Sequence, residues 1–341
     1  MELNCNILVA CNSDQKLVLV KEFPEITFKE LEGYNLRYGT KGWLTIVYII
    51  LQIPKILIQI NRENRWLQGL LLEHKADFIL SDNRYGFFSS KIPSIFITHQ
   101  LSIRTGLGSL ADKLIRFFNY RSINNFTACW VPDWAGKENL AGTLSHPAEL
   151  PTVPVQWLGA LSRFESCVQS DSMKKDILII LSGPEPQRTL LEKKILAEAI
   201  LINRPFVLVR GLPGNTESLN APAHIKVFNY LPAAELNNYL CNAAYVISRS
   251  GYTSIMDYMK LGVKAILIPT PGQAEQQVLA VHLQQSGLAL CFQQNEFSLA
   301  NALESAAAFS YKIKSWDMEQ YKNIINEHIL AGKSGRREFN K

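Results

Sequence analysis

What this chain lacks narrows its class before any motif is read. Six cysteines are scattered over 341 residues without a C-x-x-C pair, and six histidines show no metal-ligand spacing. Neither a zinc site nor a disulfide framework is expected, and no structural or catalytic metal. Cys5, Cys11, Cys129, Cys167, Cys241 and Cys291 read as small hydrophobes kept reduced, as in the run Ala289-Leu290-Cys291-Phe292. A net charge of +5 is too small to argue for nucleic acid, though it suits an anionic lipid or a phosphorylated substrate. Met1 to Ala10 has no basic start and no adequate apolar core, so no secretory signal is read there and a cytoplasmic location follows.

Long hydrophobic runs are also scarce. Only Trp43 to Ile60 approaches membrane-span length, and it carries Pro54 and Lys55 in its interior. A lysine at mid-bilayer costs about 2.5–3.5 kcal/mol on insertion scales, and proline disturbs the helix. Gln52, Lys55, Gln59 and Arg62 recur at helical spacing as one polar stripe. The segment is expected to be a largely buried helix kinked at Pro54, with an interfacial membrane helix as the alternative.

What is present fits a two-core α/β protein. The 341 residues, 47% hydrophobic and 19% charged, exceed the usual single core and allow two of about 150 residues each. Apolar runs that read as strands alternate with helical patterns, which argues for parallel sheets covered on both faces. Strands are expected near Ile7–Ala10, Thr27–Leu31, Phe78–Leu80, Ile95–Thr98 and Ala128–Val131, then near Ile177–Leu181, Phe206–Val209, Ile225–Phe228, Tyr245–Ile247 and Ala265–Ile268. Pro147, Pro151 and Pro154 mark the join. The expected division is residues 1–157, 158–315, and a tail 316–341 whose helix, Trp316 to Leu330, crosses back onto the first half.

The most informative stretch runs from Val246 to Asp257 and continues through Pro269 to Gln277. It reads as a buried strand, a polar turn onto a helix start, a second strand, and a second polar turn onto a second helix. In the first turn Arg249, Ser250 and Gly251 precede a helix beginning near Thr253; the glycine permits close backbone approach, and the free N–H groups of a first helical turn favour a phosphate. Asp257, one turn further in, is placed to accept from a ribose diol; the alternative is a carboxylate that complements the helix dipole. In the second turn Gln273, Glu275, Gln276 and Gln277 follow Pro271-Gly272. Side-chain amides donate and accept, which suits sugar hydroxyls; the plainer alternative is a solvated helix start.

Arg249-Ser250-Gly251, Asp257, Pro269 and Gln276-Gln277 resemble the C-terminal donor-binding domain of glycosyltransferase family 28. A weaker similarity extends over Leu158 to Gln294 and over Asp77 to Leu101. The resemblance implies a GT-B fold: two Rossmann-like domains facing across a cleft. It also implies metal-independent, inverting transfer of a hexose-type sugar from a UDP-sugar, a substrate and not a cofactor, to an acceptor hydroxyl. The acceptor is lipid-linked or a cell-envelope glycan precursor, so peripheral membrane contact is expected and nucleic acid is not. By the same resemblance Asp257 meets the ribose, Gln276 and Gln277 the sugar, Arg163 the diphosphate, and Leu231 the uracil through its backbone. Gly183 and Arg188, in the loop Ser182 to Arg188, fall where the family has a glycine-rich phosphate loop, but Pro184 and Pro186 remove N–H donors.

The first half holds the acceptor side. Asp82 and His99 each follow an expected strand end, where α/β sheets bind ligands, and are the candidate catalytic bases. Lys113, Arg116, Phe117, Phe118 and Arg121 suit an anionic membrane surface, or equally a solvated helix. One departure from the family stands out: no glycine precedes Gly33 and no histidine precedes His74, so the expectation is a chain read from the family's second strand, its start assigned late or, as the alternative, a fragment with impaired transfer. Other readings are a UDP-sugar 2-epimerase of the same fold, a non-catalytic nucleotide-sugar-binding subunit, and an NAD enzyme built on Gly106-Leu107-Gly108 with Asp133. In the last, the glycines come too late after the strand for a true fingerprint.

Overall fold

The computed structural model describes residues 5–33, 42–104, 108–167 and 176–328, with 42–53 described by backbone alone. Short runs rich in β-branched and aliphatic side chains become strands, and helical crossovers between them leave neighbouring strands parallel. In the first half β1 (Leu8–Cys11) pairs with β2 (Thr27–Glu30) around α1 (Ser13–Glu22), which Asn12 and Gln15 close with a reciprocal capping box. After α2 (Gly42–Glu73), strands β3 (Ile79–Asp82), β4 (Ser94–Ile97), β5 (Ala128–Val131) and β6 (Val155–Trp157) form a separate parallel sheet in that order, with α3 (Ser109–Ile123) between β4 and β5.

The second half is one six-stranded parallel sheet. Its strands are β7 (Asp176–Ile180), β8 (Phe206–Val209), β9 (Ile225–Phe228), β10 (Ala243–Ser248), β11 (Ala265–Leu267) and β12 (Ala289–Cys291). The spatial order is β12-β11-β10-β7-β8-β9, the doubly wound arrangement whose direction reverses between β7 and β10. Helices α4 (Gln187–Ala199), α5 (Ala233–Asn242), α6 (Tyr252–Leu261), α7 (Ala274–Gln285) and α8 (Leu299–Ala308) connect the strands and cover the sheet.

The ten expected strands all occur within a residue or two of their expected limits, and β6 and β12, three residues each, were not anticipated. Two expectations need correction. Cys167 and Cys241 are joined in a disulfide, because the segment after Phe164 runs against the end of α5; Cys5, Cys11, Cys129 and Cys291 are thiols. Trp43 to Ile60 is helical and contains Pro54, but from Pro54 onward it is not largely buried: Pro54, Lys55, Leu57 and Ile58 are exposed. The side chains of 42–53 lie outside the described residues, and among those described no helix is long and apolar enough to cross a membrane.

The two halves share packing. Trp134, Leu140, Ala141 and Leu144, from the loop after β5, lie in one buried cluster with Tyr252, Ile255, Leu279 and Leu283 of α6 and α7. A final helical stretch, residues 320–328, lies on the first half: Tyr321, Ile324 and Ile325 pack against Ile95, Ala128, Trp130 and Leu158. Gln320 Nε2 donates to the Trp157 carbonyl at 2.9 Å. Positions 329 and 330 of the expected helix lie outside the described residues.

Candidate active site

Three loops meet at the carboxyl edge of the second sheet, on either side of its reversal point. The first follows β7 and contains Gly183, whose φ of +99° is a conformation that favours glycine; a Cβ there would sit 3.6 Å from Thr270 Oγ1. The second follows β10 and holds Arg249, whose side chain is only 2% exposed. Its guanidinium donates to the carbonyls of Ile268 at 3.2 Å and Gln187 at 2.8 Å, while Nε has no partner among the described residues. Among the described residues no carboxylate pairs with it. Burial pulls its pKa down to about 10, so it still carries its charge at neutral pH.

That cation lies directly before the start of α6. Ser250 is fully buried and donates its hydroxyl to the Gln276 carbonyl at 2.9 Å, and Gln276 Oε1 accepts from the Thr270 amide at 2.8 Å. The second and third loops are thereby stitched together. Gly251 caps α6 in an extended conformation, and a Cβ on it would meet nothing within 4 Å, so its backbone fronts open space. Thr270 Oγ1 is buried and has no partner among the described residues. Thr253 and Gln277 are exposed, and Gln273 caps α7 without using its side chain.

Asp257 sits one turn into α6, 7% exposed. Its Oδ1 accepts the Ser162 hydroxyl at 2.6 Å. Burial raises its carboxyl to about 6, against the opposing pull of that hydrogen bond and of Arg163 and Lys260. Arg163 is half exposed and lies 3.1 Å from Glu22 at the end of α1, so a first-half carboxylate reaches this end of the site. Glu22 and Arg163 also act on the Tyr230 hydroxyl, which burial raises. Leu231 follows it and is buried in the core. Ser162 and Glu22 were missed by sequence reasoning; the one available signal was that Ser162 precedes Arg163.

Arg188 departs from its expected role. Its guanidinium is buried between Glu185 at 2.6 Å and Glu192 at 2.7 Å, and Glu192 also holds Arg210 at 2.9 Å. The group that was expected to reach a phosphate instead fastens the first loop to the end of β8. Asp133, the acid of the NAD reading, is likewise occupied: it accepts the amides of Trp134, Leu140 and Ala141 and the Ser145 hydroxyl. Gly106 and Leu107 lie outside the described residues.

From the first half, Asp82 ends β3 and His99 follows β4. Asn83, at φ 54°, turns the chain there, and its amide donates to the Ile97 carbonyl at 3.1 Å. Asp82 keeps an open side to solvent while its partly desolvated setting raises its carboxyl, against the pull of nearby His99. His99 Nε2 lies 2.8 Å from Glu275 Oε1, across the cleft. The His99 ring stacks on Tyr252 at 4.1 Å between centroids and 8° between planes, and the Tyr252 hydroxyl donates to the Pro132 carbonyl at 2.7 Å. Asp82, His99 and Glu275 are thus brought together, with Tyr252 a participant the sequence did not suggest. Among the described residues no group of three or more His, Cys, Asp or Glu side chains could hold a metal ion.

Two α/β halves with parallel sheets, facing each other across this cleft, define the GT-B fold. Solved structures agree. The spinosyn rhamnosyltransferase SpnG complexed with thymidine diphosphate matches with a TM-score of 0.60 at 13% identity, covering 93% of this chain and 88% of that one. The glycotransferase of kitacinnamycin matches at 0.59 and 16% identity, covering 96% and 89%, and Acinetobacter baumannii MurG at 0.51 and 13%, covering 94% and 88%. Residues 210–327 match the glycosyltransferase family 28 C-terminal domain. Over that stretch, less than half of the chain, the protein is similar to glycosyltransferase family 28. Among curated proteins it is 28% identical over 168 residues to the UDP-N-acetylglucosamine–N-acetylmuramyl-(pentapeptide) pyrophosphoryl-undecaprenol N-acetylglucosamine transferases of Thermotoga maritima and Thermotoga petrophila. The match spans 48% of this chain and 48% of each relative, about half their length.

Proposed function

We propose that the protein transfers a hexose-type sugar from UDP to an acceptor hydroxyl, with inversion and without a metal ion. The observation that carries this reading is Arg249, a buried guanidinium with no carboxylate partner among the described residues, next to the Ser250-Gly251 helix start at the reversal point of a doubly wound sheet. A fixed positive charge and unpaired first-turn amides, held rigidly in a low-dielectric setting, stabilise the charge that grows on a departing diphosphate. Asp257 with Ser162 offers acceptors to a ribose, and the Gln276 and Gln277 amides lie on the sugar side. The names of the curated relatives and the family domain favour a UDP-sugar and a lipid-linked acceptor.

A membrane-borne acceptor also suits α3. Leu110, Leu114, Phe117 and Phe118 are exposed at helical spacing on that helix, beside Lys113, Arg116 and Arg121. Apolar side chains flanked by cations favour an anionic bilayer surface, which supports the reading of peripheral attachment to a membrane's cytoplasmic face.

The test is calorimetric titration with UDP, ADP and NAD without added metal, for the wild type and Asp257→Ala. Binding of UDP alone, weakened about 10-fold or more by the substitution, is the expected result. Silence toward UDP in a folded sample would remove the donor assignment. UDP-sugar turnover in the absence of acceptor, with epimer formation, would favour the epimerase alternative.

A further inference from the structure

We propose that His99 and Glu275 form a general-base pair assembled across the cleft, in which Glu275 is a positioning residue for the imidazole and not a contact to the donor sugar. This rests on the glycosyl-transfer reading above. The 2.8 Å contact joins Nε2 of a residue in the first half to Oε1 of a residue in the first turn of α7, 176 positions away. A carboxylate only accepts, so Nε2 carries the hydrogen, and the lone pair of the neutral ring lies on Nδ1. Among the described residues Nδ1 has no partner.

The ring's other freedom, rotation about its own bond, is removed by Tyr252. The two planes lie within 8° of parallel, and Tyr252 is itself anchored through its hydroxyl to Pro132. The Gln100 amide nitrogen is 3.4 Å from Nε2, too distant to displace the carboxylate. His99 is side-chain buried to 15% exposure and Glu275 to 35%, so the pair is partly shielded from competing water. Asp82, from β3, is a further charged group that interacts with the imidazole. An aimed ring nitrogen, a fixed ring plane and a carboxylate behind the opposite nitrogen are what a general base requires.

In the reaction the acceptor hydroxyl gives its proton to Nδ1 while its oxygen bonds to the anomeric carbon. The bond from that carbon to the diphosphate oxygen breaks, and its electron pair leaves with UDP. The imidazolium so formed retains its Nε2–H toward Glu275. Because the halves supply one partner each, the base is oriented only when the cleft is in register, and an open molecule has a poorly aimed imidazole.

The experiment compares the wild type with Glu275→Gln and Glu275→Asp in three measurements. UDP titration comes first: all three proteins bind UDP within twofold of one another, whereas a wild type that fails to bind overturns the glycosyl-transfer reading itself. Histidine ¹⁵N NMR comes second: His99 shows the Nε2–H tautomer in the wild type and loses that bias in Glu275→Gln, and a mixture indifferent to the substitution overturns the pair. Steady-state UDP release from UDP-N-acetylglucosamine comes third, with water and the relatives' lipid-linked acceptor as nucleophiles. Glu275→Gln lowers kcat about 10- to 100-fold with donor KM within twofold, and Glu275→Asp restores part of it. A raised donor KM with kcat retained would place Glu275 on the sugar and sink the proposal.

Discussion

Ser162 and Asp257 lie 95 positions apart in sequence and 2.6 Å apart in the fold, joining the segment after β6 to the middle of α6. The hydrogen bond steadies a carboxylate that burial disfavours, and the two effects set its behaviour with pH.

Because burial raises the Asp257 carboxyl from 3.8 to about 6, the folded chain retains a proton over an interval in which the unfolded chain has released it. Its contribution to stability is therefore complete below about pH 4 and is lost as pH rises through about 6. Asp257→Asn, which resembles the protonated form, is expected to raise the melting temperature by several degrees at pH 7 and hardly at all at pH 4. Thermal melts at the two pH values check this. The same substitution weakens UDP binding about 10-fold at pH 7, and calorimetry from pH 5 to 8 should lose the step near pH 6 that the wild type shows.

Arg249→Met separates phosphate recognition from nucleoside recognition. The guanidinium's nearest contacts are backbone carbonyls, so its removal takes away the positive charge at the β10 turn and leaves the nucleoside end intact. UDP affinity falls about 10- to 100-fold while uridine affinity stays within twofold. Parallel titrations of the two ligands measure it; an equal loss for both would show that the residue acts through the fold instead.

Gly211→Ala tests the loop beyond β8. That glycine has φ +70°, and a Cβ on it would lie 2.2 Å from the Leu181 carbonyl oxygen. Relief requires displacement of the backbone that leads into the Gly183 loop. A loss of about 3 kcal/mol or more is expected by urea denaturation, with accumulation of insoluble protein on expression.

Leu114→Asp with Phe117→Asp addresses the membrane face. Both side chains are exposed, at 58% and 60%, so the double variant should fold and bind UDP as the wild type does. Cosedimentation with vesicles containing about a third phosphatidylglycerol should fall at least 5-fold, by loss of buried apolar area. Unchanged cosedimentation would exclude α3 as the contact.

The second sheet was legible because most of its strands are apolar runs buried in the sheet, and all but β8 are followed by a helix. Gly251 and the Gln276-Gln277 pair were legible as turn and helix-start positions, where the consequences are local. Strands β6 and β12 were not read from the sequence, although β11, equally three residues long, was. Arg188 was misassigned although the information was present: Glu185 and Glu192 stand three positions before and four after it, the spacing of ion pairs on one helix face. Glu22 and Tyr252 were not legible in any local window, since each meets its partner only after the sheets are placed, and Ser162 was signalled only by its place before Arg163. The Cys167–Cys241 bond belongs with them, for the 74 intervening residues carry no spacing signal.

The cluster in which Trp134, Leu140, Ala141 and Leu144 meet the α6 and α7 side chains has a practical corollary for anyone who would dissect the molecule. A cut at the proline-marked join would sever the chain where the sequence is plainest but leave the oily plug of one fragment and its socket on the other facing water. The donor half prepared alone should therefore be sticky, and exchange of whole halves between relatives should succeed only when the stretch from 133 to 146 travels with the helices it seals.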